Sequence, residues 1–140
     1  MDKIARISKD INLDDSDLKR LGFESEFDWK QEQEDSIVLA MIRHKIIVGL
    51  ISFDRIVESS FNIINLIEVS RFYRNKGVSA TLLAVVMNDS FYQVFEGYVQ
   101  LVSKTKTIDF YCNLGGFCYK RIVTFDSFAS YKVIEKYLWG

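Results

Sequence analysis

The segment FNIINLIEV, at residues 61–69, constrains the fold of this 140-residue chain most, because six of its nine residues are apolar and they do not alternate strictly with polar ones. Such a strand is typical of the interior of a sheet, where both of its faces are covered. Two other apolar segments precede it, at residues 36–43 and 45–57, and a short polar turn around His44 separates them. Their pattern predicts a β-hairpin, and residues 61–69 predict a third strand.

After Val69 the pattern changes from strand to helix. A polar loop leads to Gly77, and residues 98–103 predict another strand further on. The residues between them have apolar positions near a helical period, at Val78, Leu82, Val85, Val86 and Met87. A strand–helix–strand unit of this kind predicts one parallel pair of strands inside an otherwise antiparallel sheet.

The two ends of the chain complete the predicted fold. Asp14 favours the start of a helix, and a second short helix follows it. The doubled glycine at Gly115 would end another short helix, and residues 118–125 and 130–138 are interpreted as strands. We therefore predict one α+β domain over residues 1–140. Its mixed, mostly antiparallel sheet has about six to seven strands, one parallel pair and about four flanking helices.

The overall charge and hydropathy limit the classes of function. Eighteen basic and nineteen acidic residues give a net charge of −1, so a surface built for nucleic acid is not expected. No run of 18 apolar residues is present, and the N-terminal residues lack the apolar stretch of a secretory signal. We therefore expect a cytoplasmic protein with no membrane partner.

The cysteines and the single histidine favour neither a metal site nor a nucleophilic triad. Cys112 and Cys118 are six residues apart without a CxxC pattern, so zinc-ligand spacing is absent. In a reducing compartment a disulfide between them is not expected either. We interpret both as small, half-buried apolar residues. His44 lies in the predicted turn, so we expect it to be solvated rather than catalytic.

Charge is unevenly distributed along the chain. Residues 14–35 contain nine acidic and three basic residues, a net charge of 3 − 9 = −6, whereas the residues from 36 onward carry +4. One interpretation of the acidic segment is a pair of solvated helices. The other is an acidic wall that attracts a cationic substrate.

The loop that leads to Gly77 has the composition of an anion site. The unpaired amides of a helix's first turn bind phosphate readily, and glycine lets the backbone approach a ligand closely. Arg71, Arg74 and Lys76 add positive charge. The sequence has neither the GxxxxGK[ST] pattern of a P-loop nor the GxGxxG pattern of a dinucleotide site. We expect a phosphate or pyrophosphate here.

Two motifs resemble those of the GNAT N-acetyltransferase superfamily. VSRFYRNKGVSATLL is similar to the central motif, Q/R-x-x-G-x-G/A, which follows the fourth strand and opens the third helix. IDFYCNLGGF, in which Tyr111 lies 37 residues past Arg74, resembles the second motif, a helix that ends in Phe-Tyr before a Gly-Phe. The spacing accommodates one helix, one strand and one further helix. The resemblance covers residues 36–138 and implies a GNAT-like fold.

The resemblance implies acetyl-coenzyme A as the acyl donor and no metal. The backbone of Val69 would bond the pantetheine or polarise the thioester carbonyl, and strands 61–70 and 98–103 would splay apart to admit the cofactor's arm. Arg74 and Lys76 would lie beside the pyrophosphate. The backbone amides that would hold it belong to Asn75, Lys76, Gly77, Val78, Ser79 and Ala80.

The resemblance also implies that Tyr111 protonates the departing thiolate, and pKa values of about 8.5 for a thiol and about 10 for a phenol permit that transfer. The alternative for Tyr111 is an aromatic residue of the core. An amine acceptor must lose a proton before it attacks, so a general base is needed. Glu68 is the first candidate and Glu58 the second. Glu68 is otherwise a structural partner for Arg71 or Arg74.

These inferences predict an N-acetyltransferase that moves an acetyl group from acetyl-coenzyme A to the primary amine of a small cationic molecule or a peptide, by direct attack in a ternary complex. Lys104 and Thr107 stand where many members have Asn and Ala, which leaves open a coenzyme A-binding module without catalysis. A third alternative is an interaction domain without a cofactor. In that case residues 137–139 would form the interface of a homodimer.

Overall fold

The computed structural model describes residues 2–8, 11, 13–24 and 27–140. The described residues form seven strands and five α-helices, with two short 3-10 helices at Val57–Ser59 and Thr105–Thr107. In chain order these are β1 (Lys3–Arg6), α1 (Asp15–Arg20), α2 (Trp29–Asp35), β2 (Ile37–Arg43), β3 (Ile46–Ile56), β4 (Phe61–Val69), α3 (Val78–Tyr92), β5 (Val99–Val102), α4 (Ile108–Asn113), β6 (Phe117–Tyr119), β7 (Ile122–Phe125) and α5 (Ser127–Tyr137). None of the helices in these residues is long and apolar enough to cross a membrane.

The strands form one sheet in the order β1-β2-β3-β4-β5-β7-β6. β4 and β5 run parallel, with pairs from Asn62–Val99 to Ile64–Leu101. The pairs β1–β2, β2–β3, β5–β7 and β6–β7 are antiparallel. β4 continues to Val69, five residues beyond its last pair with β5. The described residues thus confirm the predicted α+β class, with a mostly antiparallel sheet and one parallel pair.

Backbone contacts divide the chain into two compact units. The first consists of residues 1–53 and 66–82, and the second of residues 54–65 and 83–140. In the first unit, apolar residues of the N-terminal segment are buried with residues of β2 and β3. They are Ile7, Leu13, Leu18, Phe23 and Trp29 from the N-terminal segment, and Val38, Ala40 and Leu50 from the strands. The single domain over residues 1–140 stays a prediction.

The connection between β2 and β3 confirms the predicted turn. Arg43 pairs with Ile46, so the turn consists of His44 and Lys45. Their φ angles are +52° and +68°. Two consecutive positive φ angles are typical of the type I′ turn, whose twist matches that of the strands it joins. His44 is exposed, as expected of a turn residue.

Gly49 in β3 allows α3 to approach the sheet closely within the first unit. A Cβ at this position would lie 2.6 Å from Cγ1 of Val78 and 2.9 Å from Cδ1 of Leu82. Carbon atoms do not pack that closely, so only glycine fits without a shift of the helix. This contact therefore fixes the first turn of α3, where the sequence predicts an anion site.

The C-terminal segment corrects one prediction, because residues 130–138 belong mainly to helix α5 and not to a strand. The Asp126 carboxylate caps this helix by accepting a hydrogen bond from the Ala129 amide at 2.9 Å. The buried residues are Ala129, Ser130, Val133 and Ile134. These positions recur every three to four residues, so they share one helical face despite their β-branched members.

Two other strand predictions are incomplete. Residues 118–125, predicted as one strand, fold back on themselves as β6 and β7, and Lys120 at the turn has a φ of +56°. β1 has no clear signal in the sequence. This strand has only four residues, KIAR, and the first and last are charged, so it lacks a strong apolar pattern.

Cys112 and Cys118 form a disulfide, which corrects the expectation of two separate apolar residues. Their Cα atoms lie 6.1 Å apart, within the range that a disulfide spans. The turn after α4 brings them together, because Gly115 adopts a φ of +107° and the Gly116 amide donates to the Tyr111 carbonyl at 3.1 Å. The bond joins the end of α4 to β6.

Reducing this disulfide should lower the free energy of unfolding by about 2 kcal/mol, because the unfolded chain then loses the constraint of a short closed loop. Urea unfolding with and without dithiothreitol measures the difference. Cys118→Ala has no disulfide to reduce and is the control, so its stability should not respond to the reductant. An unchanged unfolding free energy of the reduced wild-type chain would contradict the assignment.

Candidate active site

The loop that follows β4 begins at a fixed point of the first unit. The Ser70 amide donates to the Val48 carbonyl at 2.9 Å, and the Arg71 amide donates to the Gly22 carbonyl at 2.9 Å. The Ser70 hydroxyl donates to the Leu21 carbonyl at 2.5 Å. Gly22 has a φ of +96°, and a Cβ there would overlap Ser70 Oγ. These bonds tie the start of the loop to β3 and to the end of α1.

Six consecutive backbone amides, from residue 75 to residue 80, have no hydrogen-bond acceptor in the part of the chain that the structure describes. The Thr81 amide donates to the Gly77 carbonyl at 3.0 Å, as the first bond of α3. Free amides at the start of a helix carry the positive end of its dipole and bind anions. The first unit therefore presents the arrangement that a phosphate or pyrophosphate requires.

Gly77 sets the shape of the loop where α3 begins. Its φ is +77°, a conformation that residues with a Cβ rarely adopt. No protein atom lies within 4 Å of the position that a Cβ would occupy. The space beside this backbone is therefore open to a ligand. Asn75 also has a positive φ, +62°, which asparagine tolerates better than most residues do.

The three cations of the loop have different environments. Arg74 Nη2 lies 3.1 Å from Glu24 Oε1, and both side chains are about half exposed. The Arg71 guanidinium lies over the Phe72 ring, 4.9 Å from its centroid. Lys76 is exposed and has no ion pair with any described residue. Within the described ranges, Lys76 is therefore the cation of this loop that neither a carboxylate nor an aromatic ring contacts.

Glu68 lies in β4, and only 9% of its surface is exposed. Its Oε1 accepts a hydrogen bond from Trp29 Nε1 at 2.9 Å, and its Oε2 accepts one from the Glu24 amide at 2.8 Å. Burial raises the pKa of Glu68, against the lowering effect of these two hydrogen bonds. A carboxylate with a raised pKa is a stronger base than an exposed one.

The charge of Arg74 lowers the pKa of Glu68, as expected of one of its two predicted partners, but the hydrogen bonds of Glu68 come from other residues. Neither Arg71 nor Arg74 donates a hydrogen bond to it among the described residues, whereas Trp29 and Glu24 do. Glu24 links Glu68 to Arg74, because its amide donates to the Glu68 carboxylate while its side chain pairs with Arg74. Glu58, the second candidate base, lies in the second unit, in the exposed turn before β4.

Tyr111 lies in α4 of the second unit, and 6% of its surface is exposed. Burial raises the pKa of its phenol to about 12. The group therefore keeps its proton at any physiological pH. It is a hydrogen-bond donor, and a weaker acid than a phenol in water. The ring packs edge to face against Phe110, with 5.1 Å between the centroids, so it also has the contacts of a core aromatic.

Several acidic residues of the segment 14–35 have structural partners. Asp14 and Asp28 cap helices α1 and α2 by accepting backbone hydrogen bonds. Glu32 accepts a hydrogen bond from the Ser52 hydroxyl at 2.6 Å. Glu26 lies outside the described residues. These roles favour the interpretation of two capped, solvated helices, although the net charge of −6 still attracts cations over a distance.

Sequence reasoning misses the residues that hold the site in place. Trp29 and Ser70 act through partners 39 and 49 residues away, so no local pattern marks them. Gly22 has a local signal, because a glycine just after the last helical turn is typical of a helix C-cap. Among the described residues, no group of three or more potential metal ligands occurs.

No protein-family model matches the chain, and no curated protein matches it. Solved structures do match. A mutant AtaT toxin bound to the C-terminus of the antitoxin AtaR and to acetyl-CoA has a TM-score of 0.70 at 13% identity, covering 97% of this chain and 99% of that one. AtaT complexed with acetyl-methionyl-tRNAfMet has a TM-score of 0.71 at 14% identity, covering 92% and 96%.

An IAA acetyltransferase from Bacillus cereus also matches, with a TM-score of 0.66 at 15% identity, over 86% of this chain and 79% of that one. These similarities show that the chain has the fold of the GNAT acetyltransferases. They confirm the fold that the two sequence motifs imply. Within that fold, the loop of residues 70–77 joins β4 to α3, the fourth strand to the third helix.

The raised pKa of Glu68 has a consequence for stability. The folded chain holds this proton more firmly than the unfolded chain, so the contribution of Glu68 to stability falls as the pH rises above 4.5. Glutamine does not titrate. The unfolding free energy of Glu68→Gln, relative to the wild-type chain, should therefore increase from pH 4.5 towards neutral pH. Urea unfolding at several pH values measures this difference.

Glu34→Gln makes the same substitution at an exposed position of α2 and is the control for that experiment. A difference between Glu68→Gln and the wild-type chain that stays constant with pH would contradict the raised pKa.

Proposed function

We propose that this chain transfers an acetyl group from acetyl-coenzyme A to a primary amine. The observation that carries the proposal is the run of six free amides at the start of α3, directly after β4 and its loop. An anion as large as a pyrophosphate needs several donors with one orientation, and these amides supply them. The fold supports the choice of donor, because one similar structure contains acetyl-CoA.

In this proposal the pyrophosphate binds the amides of Asn75, Lys76, Gly77, Val78, Ser79 and Ala80. Lys76 adds a charge that no described acidic residue neutralises, and Arg74 adds a second when it exchanges Glu24 for the ligand. The backbone of Val69 bonds the pantetheine arm or polarises the thioester carbonyl. Val69 ends the part of β4 that continues past its pairing with β5, which leaves strand backbone there for a ligand.

The reaction moves one acyl group and one proton. The amine nitrogen attacks the thioester carbonyl carbon, the C–S bond breaks, and the sulfur leaves as a thiolate. Glu68, through water, takes the proton that the amine must lose, and Tyr111 gives a proton to the sulfur. The products are an amide and the free thiol of coenzyme A. The proton that Glu68 took up returns through water to the Tyr111 phenolate, which restores both groups for the next turnover. Because Tyr111 is a weak acid, positioning and carbonyl polarisation supply most of the acceleration.

The acceptor in this proposal is a small cationic molecule or a peptide amine. The net charge of −6 over residues 14–35 attracts cations from solution to this part of the surface. Several of these carboxylates also cap helices or pair locally.

A second candidate acceptor is the amine of an aminoacyl-tRNA. It is favoured by the similarity to AtaT in complex with acetyl-methionyl-tRNAfMet, which extends over nearly all of both chains. The expectation that this protein has no nucleic-acid partner therefore receives no support from the comparisons. Spermidine, kanamycin, a lysine-containing peptide and methionyl-tRNA, tested as acceptors with detection of the free thiol, distinguish the two candidates.

A coenzyme A-binding module without catalysis is less favoured, because the similar structures include an enzyme described as an acetyltransferase. It predicts donor binding with no thiol release from any acceptor of that panel. The interaction domain and the homodimer through residues 137–139 stay predictions, as does the cytoplasmic location.

Calorimetric titration with acetyl-coenzyme A should show saturable binding with one site per chain. Gly77→Glu should abolish it, because the new carboxylate would occupy the open space beside the amides and repel the pyrophosphate. Lys45→Glu is the matched control, since it also places a glutamate at an exposed position with a positive φ in the first unit. No binding by the folded wild-type chain, or equal binding by Gly77→Glu, would overturn the proposal.

Tyr111→Phe should lower kcat by about a hundredfold or more and leave the Kd for acetyl-coenzyme A nearly unchanged, because it removes only the proton donor. Since the pKa of Tyr111 is raised to about 12, the wild-type rate should not fall between pH 8 and pH 10 through loss of this proton. Tyr119→Phe, at an exposed tyrosine of β6, is the control. An unchanged kcat in Tyr111→Phe would remove this residue from the mechanism.

A further inference from the structure

A second candidate site lies wholly within the second unit. A cavity of about 410 Å³ opens between the turn that precedes β4, the loop that joins α3 to β5, and the residues where β5 and β7 pair. This volume is within the range of small-molecule pockets. The cavity lies at the start of β4, whereas the loop proposed to hold the acyl donor follows the end of that strand. No residue of that loop lines it.

One wall of the cavity is held rigidly by three serine hydroxyls. Val94, Phe95, Glu96 and Tyr98 line this wall. The three consecutive carbonyls of residues 96–98 each accept a hydrogen bond from a serine. Ser127 of α5 donates to the Glu96 carbonyl, and Ser130 of α5 donates to the Gly97 carbonyl. Ser90 of α3 donates to the Tyr98 carbonyl at 2.9 Å. Two helices thus fix the same short loop, so the cavity is formed before any ligand arrives.

The same walls contain backbone in an unfavourable conformation. Ser60, Val94 and Glu96 all line the cavity, and their φ angles are +57°, +63° and +59°. For a β-branched residue such as Val94 a positive φ is a clear outlier. Backbone strain of this kind persists where the surrounding structure enforces it, and it is common at ligand sites. The surrounding structure therefore maintains the shape of the cavity against the conformational free energy that these backbone angles cost.

The lining chemistry defines the class of ligand. Glu96 is the one acidic residue among the described residues that line the cavity, and none of them is basic. Phe61, Phe95 and Tyr98 offer aromatic surface, while Gln100 and Thr124 offer polar groups from paired positions of β5 and β7. A carboxylate beside aromatic rings suits a cation with an apolar body. The carboxylate and the faces of the rings attract the positive charge, and the rings also pack against the apolar part of the ligand.

We propose that this cavity binds a small organic cation with an aromatic or aliphatic body, at a site separate from the acyl donor. The site does not suit the donor, whose phosphates would meet Glu96 and no basic residue. The inference does not rest on the proposed acetyl transfer, since it uses none of the residues assigned to that reaction.

Two probes with the same phenylethyl body and opposite charge test the proposal on the full chain without acetyl-coenzyme A. 2-Phenylethylamine should bind with one site per chain in calorimetric titration, and 3-phenylpropionate should not bind. Glu96→Gln should weaken amine binding at least tenfold, because it removes the charge of the site. Thr124→Phe should abolish binding by filling the cavity. Glu135→Gln, on α5 and absent from the lining, is the control and should bind as the wild-type chain does.

Equal binding of the two probes would overturn the proposal, as would no binding of the amine. Amine binding that survives both Glu96→Gln and Thr124→Phe would place the amine elsewhere, for example in an acceptor site, and would also overturn it. Circular dichroism checks that Thr124→Phe is folded. If it is not, Glu96→Gln alone decides, because the exposed Glu96 side chain can be changed without a change of packing.

Discussion

The hydrogen bonds at Ser70 fix the place where β4 ends and the candidate site begins. Its amide binds β3 and its hydroxyl binds the end of α1, so the chain must leave the sheet at this residue. Gly49 fixes the other end of the loop by letting Val78 pack directly on β3. Between these two points the backbone follows a path that leaves the amides of residues 75–80 without acceptors among the described residues. The side chains of the loop then add charge to a site that the backbone has already formed.

Burial raises the pKa of both groups that the proposed reaction uses, which strengthens the base and weakens the acid. It raises the pKa of Glu68 in the first unit, which makes that carboxylate a stronger base. It raises the pKa of Tyr111 in the second unit to about 12, which makes that phenol a weaker acid. For both groups burial acts in the same direction, because it disfavours the charged form. A reaction of this kind depends more on the placement of the thioester and on polarisation of its carbonyl than on a strong acid.

The parts of the fold that depend on neighbouring residues could be predicted from the sequence. Asp14 at a helix start, His44 in a two-residue turn and Gly77 before α3 each have a local signal, and the structure has all three. The parts that depend on distant partners could not be predicted. Trp29 binds Glu68 across 39 residues, and the disulfide depends on the turn at Gly115. Residues 130–138 were misleading because β-branched residues on one helical face resemble a strand pattern.

The central claim is that the amides of residues 75–80 bind the pyrophosphate of coenzyme A. A titration of the isotopically labelled chain with coenzyme A, followed by amide nitrogen–proton correlation spectra, observes those amides directly. The account predicts saturable shifts of these six resonances, with the His44 and Lys45 turn unaffected. Binding that leaves residues 75–80 unshifted, or the absence of any saturable shift in a folded chain, would contradict it.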